Sequence, residues 1–339
     1  MPLMTDLISP AELTGYARES LEDYEQSKGT LAHWLPNRYV ADIVAKFVVG
    51  RNGLVPEASF RAYGAAPELG KYQPGRRVIL ELPALGQNIP LDEYWKLRAR
   101  NASDDAIVRH IQDQARAVVR AVSDRIEALR GTVLVTGKAT IDQDNFKSED
   151  DFGRDADLEV APNTLWTDPD ALVLEDLLAW AAKYEEQNGT LPGTILTSSR
   201  VAALLTRAAQ FQTALLGGAT RPASRDDVNA VLVGQGLPSI QVYDRRTFSG
   251  RVVPDDVVLL LPPAVDVNNY EGTELGASFW GLTESANKPD WDIAESEQPG
   301  VVVASFEGEK PGEPTEIISD AIALPVLANP DLSLVATVA

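Results

Sequence analysis

The sequence predicts an α+β protein, and three features carry that expectation. One long amphipathic helix occupies residues 103–131, a stretch from 168 to 320 alternates helix-like and strand-like segments, and short β-prone runs gather at 50–95 and after 300. Patterns that segregate in this way belong to mixed architectures rather than to bundles or sandwiches.

Composition sets the outer limits. With 339 residues, the chain can bury the core of one large or two ordinary domains. Apolar residues make up 44% and charged residues 24%, an ordinary globular balance. No run approaches the roughly 20 continuous apolar residues that span a bilayer. The start, MPLMTDLISPAELTGYARESLEDYEQSK, lacks a basic region followed by an apolar one, so neither a secretory signal nor membrane contact is expected. The chain has no cysteine, which excludes disulfides, thiolate catalysis and cysteine-held metals. Its net charge of −20 would repel the phosphates that a nucleic-acid-binding surface must neutralise.

Along the chain, Ser9 reads as an N-cap, Pro10 as the first helical residue and Gly29 as a stop, predicting a short first helix. Trp34, Leu35 and Tyr39 follow as candidate anchors, and then a β-prone run. From 50 to 95 many Gly and Pro separate two short β-like runs near 58–63 and 76–82, the pattern of a long hairpin with the tip GAAPELGKYQPG. A hairpin with so little to pack on is marginal by itself. The helix in SDDAIVRHIQDQARAVVRAVSDRIEALRG starts at the N-cap Ser103, with Asp104 and Asp105 in its first turn. It is expected to stop at Arg130–Gly131, a basic last turn followed by a glycine. Ile107, Ile111, Ala115, Val118, Val122, Ile126 and Leu129 make one apolar stripe roughly 40 Å long, which needs a sheet along it.

TVLVTGKATI then reads as strand. Next comes a helix in DPDALVLEDLLAWAAKYEEQNG, capped by Asp168 with Pro169 at its first position and Asn188–Gly189 at its end. GTILTS, SIQVYD, DDVVLLLP and GASFWGL read as strands, SRVAALLTRAAQF and SRDDVNAVLVGQG as helices, and the C-terminal region as strands joined by a Gly/Pro/Glu turn.

Residues 137–160, GKATIDQDNFKSEDDFGRDADLEV, hold eight carboxylates and invite a test for metal or acid–base chemistry. The EF-hand template fails in every register: from Asp142 its turn glycine would be Lys147, and from Asp155 it would be Val160. Interspersed Lys147, Ser148 and Arg154 favour a solvated turn or strand edge. A phosphate loop, a G-x-S-x-G elbow and an H-E-x-x-H helix are absent. Of the two histidines, His33 sits in apolar LAHWLP as a packed or interfacial residue, and His110 on a polar helical face. No catalytic residue, cofactor or metal site is expected.

Two stretches resemble a known family. ALRGTVLVTGKATI with the acidic run through FGRD, and the terminal AIALPVLANPDLSLVATVA with its Leu327–Asp331 turn, are similar to the major capsid proteins of tailed double-stranded DNA phages. The likeness is closest to the lambda major head protein family. The order of elements agrees over nearly the whole chain, whereas the arm and hairpin depart in sequence. The resemblance implies the HK97-like phage capsid fold. That fold has an N-terminal arm (1–45), an extended E-loop hairpin (46–98), a P-domain with a long spine helix and β-sheet (99–165 and 301–339), and an α/β A-domain (166–300).

The implied function is a shell protein without catalysis of its own, assembling as hexamers and pentamers into an icosahedral virion that encloses DNA without specific binding. Implied partners are a portal, a separate scaffold and, in some members, a decoration protein; assembly would take place in the host cytoplasm. Trp34, Tyr63, Gly64, Pro67, Gly70, Tyr72, Pro74, Arg76 and Arg77 are the expected contacts between subunits. An encapsulin-type nanocompartment shell is the alternative within the same fold, and an α/β metal-dependent enzyme using 142–159 the alternative outside it.

Overall fold

A computed structural model describes residues 3, 5, 7–49, 76–91, 103–143, 146–216, 223–267, 273–308, 310 and 313–339. Helix α1 (Pro10–Lys28) starts where local chemistry puts it. The Glu12 N–H donates to the Ser9 hydroxyl and the Ser9 N–H to the Glu12 carboxylate, a reciprocal cap. Leu13 and Ala17 are buried, and the Thr14 hydroxyl exchanges hydrogen bonds with the backbone of Val303 at 3.0 and 3.2 Å. The first helix is therefore fastened to its own subunit.

Strand β1 (Asn37–Tyr39) precedes β2 (Val44–Val49), β3 (Arg76–Glu81) and β4 (Ala84–Leu91). The strand expected at 76–82 is present, but its partner is β2, with Val44 opposite Glu81 and Val49 opposite Arg76. Ala45 and Phe47 point inward and give that pair a buried side. The run expected at 58–63 and the hairpin tip lie outside the described residues. β4 was not foreseen: ALGQNIPL lacks apolar alternation, and it becomes a strand because a long edge lies beside it.

Helix α2 (Asp104–Thr136) corrects the sequence reading at its C-terminal end. It continues for more than a turn past Arg130–Gly131 and ends at Gly137, which is left-handed at φ 69° and donates to the Val133 carbonyl. TVLVT is helical because Val133 and Leu134 carry on burying a face of the helix. Gly131 is a packing glycine: a Cβ there would lie 2.2 Å from the Val252 carbonyl oxygen. At 1.5 Å per residue the helix is roughly 50 Å long.

The acidic stretch forms an antiparallel hairpin of β5 (Lys138–Gln143) and β6 (Phe146–Asp151), followed by β7 (Glu159–Val160). Then come α3 (Val173–Asn188), β8 (Thr194–Thr197), α4 (Ser199–Arg207), α5 (Ala209–Leu216), α6 (Arg225–Gly234) and β9 (Ile240–Val242). Asp168 and Pro169 do not start α3; Asp168 instead accepts from the Asp170 N–H in a preceding turn. The single helix expected from SRVAALLTRAAQF is two, because Ala208 is extended at ψ 132°. A small hairpin, β10 (Arg246–Thr247) and β11 (Gly250–Arg251), leads to β12 (Val257–Leu261), β13 (Gly276–Trp280), β14 (Val302–Phe306), β15 (Thr315–Leu327) and β16 (Leu334–Thr337).

Two five-stranded sheets result. In the first, the 13-residue β15 pairs β4 over 315–322, β14 over 316–320 and β13 over 323–327, and β1 runs parallel to β13. The stripe of α2 lies across this sheet, its Ile111, Ala115, Val118, Val122 and Ile126 sharing a core with Leu13, Ala17, Ile317, Ala321 and Ala323. The second sheet runs β7–β16–β12–β8–β9, with α3, α4 and α6 contributing to the larger core around it. β12 reads as an unbroken apolar run, VVLLL, because it is buried along its whole length.

Candidate functional site

The strongest concentration of buried polar groups lies where α1 ends, α2 passes and the second sheet begins. Glu127 and Arg130, one helical turn apart on α2, are both fully buried and paired at 2.9 Å. The Glu127 carboxylate also accepts from the Leu31 N–H at 2.7 Å, the Thr30 hydroxyl at 3.1 Å and the Tyr243 hydroxyl. Arg130 donates to the Ser278 hydroxyl at 2.8 Å and to the Asn37 side chain. Arg245 donates to Asp124 and to the Gly29 carbonyl, both at 2.9 Å, and its guanidinium lies over the Tyr24 ring.

Burial alone would raise the Glu127 pKa, but Arg130, Arg245 and the Tyr243 hydroxyl hold it below the ordinary glutamate value. Burial, reinforced by the Glu127 carboxylate, drives the Tyr243 phenol upward. Each side chain of this set has at least one partner, with the buried Nε of Arg245 alone left without one, so the set fixes geometry. It pins residues 29–37, the C-terminal part of α2, β13 and residues 243–245 to one another.

A second clamp joins the two stretches that carry the sequence resemblance. The Asp155 N–H, in FGRD, donates to the Asp331 carboxylate of the LANPD turn at 2.9 Å. Next to it, the Arg154 guanidinium donates to the carbonyls of Leu134 at 2.6 Å and Val135 at 3.0 Å, closing the C-terminus of α2 with a positive charge. Burial lowers its pKa to about 10. Asn188 and Tyr184 of α3 donate to the carbonyls of Asp331 and Leu332, holding the same turn from the other side.

Of the other described carboxylates in the 142–159 stretch, Asp142, Glu149, Asp151, Asp157 and Glu159 are exposed and Asp150 is half-buried. Lys138 lies 2.9 Å from Asp151 and Lys147 2.7 Å from Asp142, all four side chains well exposed. The Lys138 ammonium and the Gly153 N–H lower the Asp151 pKa. Among the described residues, no three His, Asp or Glu side chains gather as a metal-binding group.

A sequence model of the phage major capsid protein E family matches residues 40–338. The chain belongs to that family. This capsid protein, a component of the virion shell, has the HK97-type fold, and solved structures agree at low identity. A prophage protein of E. coli CFT073, assigned as a capsid protein, superposes with a TM-score of 0.61 at 12% identity, covering 98% of this chain and 99% of its own. A phage-related protein from Bordetella bronchiseptica RB50 gives 0.59 at 14% identity, covering 96% and 95%. No curated protein matches the sequence.

The expected subunit contacts of this capsid protein fare unevenly. Trp34 is 3% exposed in the core of its own chain, and its indole N–H donates to the Pro262 carbonyl at 3.1 Å. Tyr63, Gly64, Pro67, Gly70, Tyr72 and Pro74 lie outside the described residues. Arg76 and Arg77 open β3, opposite Val49 and Val48. His33 is exposed, its Nδ1 2.9 Å from the Val265 carbonyl. The residues that sequence reasoning missed, Glu127, Arg130, Arg154, Tyr243 and Arg245, gave no motif. The one available signal was Glu127 and Arg130 at i and i+3, set beside an apolar stripe.

Proposed function

We propose that this capsid protein assembles, as hexamers and pentamers, into the icosahedral shell of a tailed phage or prophage, enclosing double-stranded DNA without gripping it. The observation that carries this reading is the family match over residues 40–338. The charge supports it: a lining of subunits at −20 each repels packaged phosphate, so the genome can move in and out. The functional map follows the elements. Residues 1–45 act as the arm, 46–98 as the E-loop, 99–165 with 301–339 as the P-domain, and 166–300 as the A-domain. Strand β13 of the last span crosses into the first sheet, and β16 crosses into the second. A portal, a separate scaffold and a decoration protein are the partners to seek, in the host cytoplasm during assembly.

The test is expression of the full chain alone and with its scaffold, followed by negative-stain microscopy. Closed particles are expected, and small fixed oligomers under every condition would refute the reading. Trypsin adds a second readout for the E-loop. Arg61, Lys71, Arg76 and Arg77 should be cut in free subunits and protected in particles; equal protection in both would remove the loop from the contact.

A further inference from the structure

Phe248 is 107% exposed, at the tip of the two-residue turn between β10 and β11, where Thr247 pairs Gly250. Arg246 and Arg251 face each other at the base of this hairpin. An aromatic ring held wholly in water on a built turn has a cost that nothing within the subunit offsets. On the other side of α2 is a hollow of about 370 Å³. Val122, Ile126 and Leu129 contribute to it from the helix, Leu85 from β4 and the half-exposed Phe146 from β6, with Arg125 on its wall. Arginines of this helix elsewhere cover aromatic rings: Arg116 over Tyr16 at 5.8 Å and Arg120 over Tyr24 at 4.8 Å.

Helical phase places the two features back to back. The hollow takes positions 121, 122, 125, 126 and 129 of α2. Asp124, Glu127 and Gly131 hold the segment that carries the Phe248 hairpin, through Arg245, Tyr243 and Val252. At about 100° per residue the two sets point in roughly opposite directions. A projection on one face and a receptor on the opposite face cannot meet within one subunit, but they meet between successive copies in a closed ring.

We propose that Phe248 of one subunit enters the α2–β4–β6 hollow of the next copy of this chain, under the guanidinium of Arg125. Charge agrees with that occupant. The hairpin brings the exposed Arg246, Arg251 being paired already with Asp244 at 2.8 Å, and the receptor presents Asp150, which shares the face of β6 that carries Phe146. Buried there, the ring gains apolar contact and a cation at its face. The inference rests on the shell reading and adds to it a specific joint.

The absence of native cysteine gives a clean test. Full-length Ser249→Cys/Gln143→Cys, assembled and then oxidised, should give a ladder of disulfide-linked multimers on denaturing gels, and neither single variant should. Adding Phe248→Ala should abolish the ladder and, in the otherwise unaltered chain, raise the critical concentration for assembly by roughly tenfold or more. Because Phe248 touches nothing in the free subunit, its melting should not change. Arg125→Ala should weaken assembly in the same direction, with Arg125→Lys partly restoring it. Particles without a ladder, a ladder indifferent to Phe248→Ala, or a bond formed within one chain would each overturn the joint and leave the shell reading standing. Failure of the unaltered chain to form particles would overturn both.

Discussion

Gly15 and Gly131 are both helical glycines, yet replacing each with alanine should move stability in opposite directions. At Gly15, exposed in the middle of α1, an added methyl meets nothing within 4 Å. Alanine there gains only the helical preference that glycine lacks, stabilising by about 0.5–1 kcal/mol. Gly131→Ala gains the same preference, but its Cβ would fall 2.2 Å from the Val252 carbonyl oxygen, 2.9 Å from the carbonyl carbon and 2.7 Å from Cγ1.

A rotamer change can withdraw Cγ1, but it cannot withdraw the backbone. The two elements must separate by about an ångström, and residues 245–252 are tied down by Arg245 on Asp124 and Gly29. Overpacking of this kind costs typically 1–3 kcal/mol, more than the preference returns, so a net loss of about 1–2 kcal/mol is expected. Urea midpoints of unassembled full-length subunits, followed by far-ultraviolet circular dichroism, provide the assay. Gly15→Ala should shift the midpoint up and Gly131→Ala down. An upward shift for both would refute the close passage of α2 beside Val252.

Three further outcomes follow from named contacts. Glu127→Gln leaves Arg130 and Arg245 short of their buried counter-charge and should cost roughly 3–5 kcal/mol at pH 7. Because the fold lowers the Glu127 pKa, the advantage over Gln is full above the ordinary glutamate value near ~4.3 and disappears as pH falls through the lower folded value; a gap unchanged down to pH 2 would contradict this. Val118→Ala and Val122→Ala should each cost roughly 1–3 kcal/mol, while Val122→Asp should give little soluble protein; a soluble, normally assembling Val122→Asp chain would show the stripe misassigned. Asp150→Asn with Asp151→Asn should leave folding unchanged, since these side chains pair only at the surface. Calorimetric detection of a tightly bound divalent ion, lost in that variant, would instead make the hairpin a metal site.

What could be read beforehand was local or periodic. The α1 cap needs only Ser9 and Glu12, and the α2 stripe repeats every three or four residues, so both were legible. The end of α2 was not. Arg130–Gly131 has the same letters as a basic last turn with a terminal glycine, and only the approach of Val252, far along the chain, makes it a buried ion pair beside a packing glycine. Strand β4 was hidden because its strand character comes from the edge of β15 rather than from its own residues. Arg154, taken for part of a wet stretch, is buried because the carbonyls at the end of α2 need donors, and a helix end misplaced by six residues conceals that need.

The 13-residue strand β15 also sets a schedule for making the subunit. The apolar stripe of α2 is complete once residue 126 has been synthesised, but Ile317, Ala321 and Ala323, which cover it, come from near the C-terminal end of the chain. At about 5–20 residues per second, roughly 10–40 s separate the two on the ribosome. Through that interval the longest helix in the molecule has an uncovered face, and β4 and β14 have no central strand to join. Contacts that distant in sequence form late and slowly. A chain truncated before residue 315 would therefore lack the first sheet, not merely its edge. Synthesis itself withholds the finished subunit until residues 315–327 have been made, so a chain that stops short of them should fail to fold and so to enter a particle.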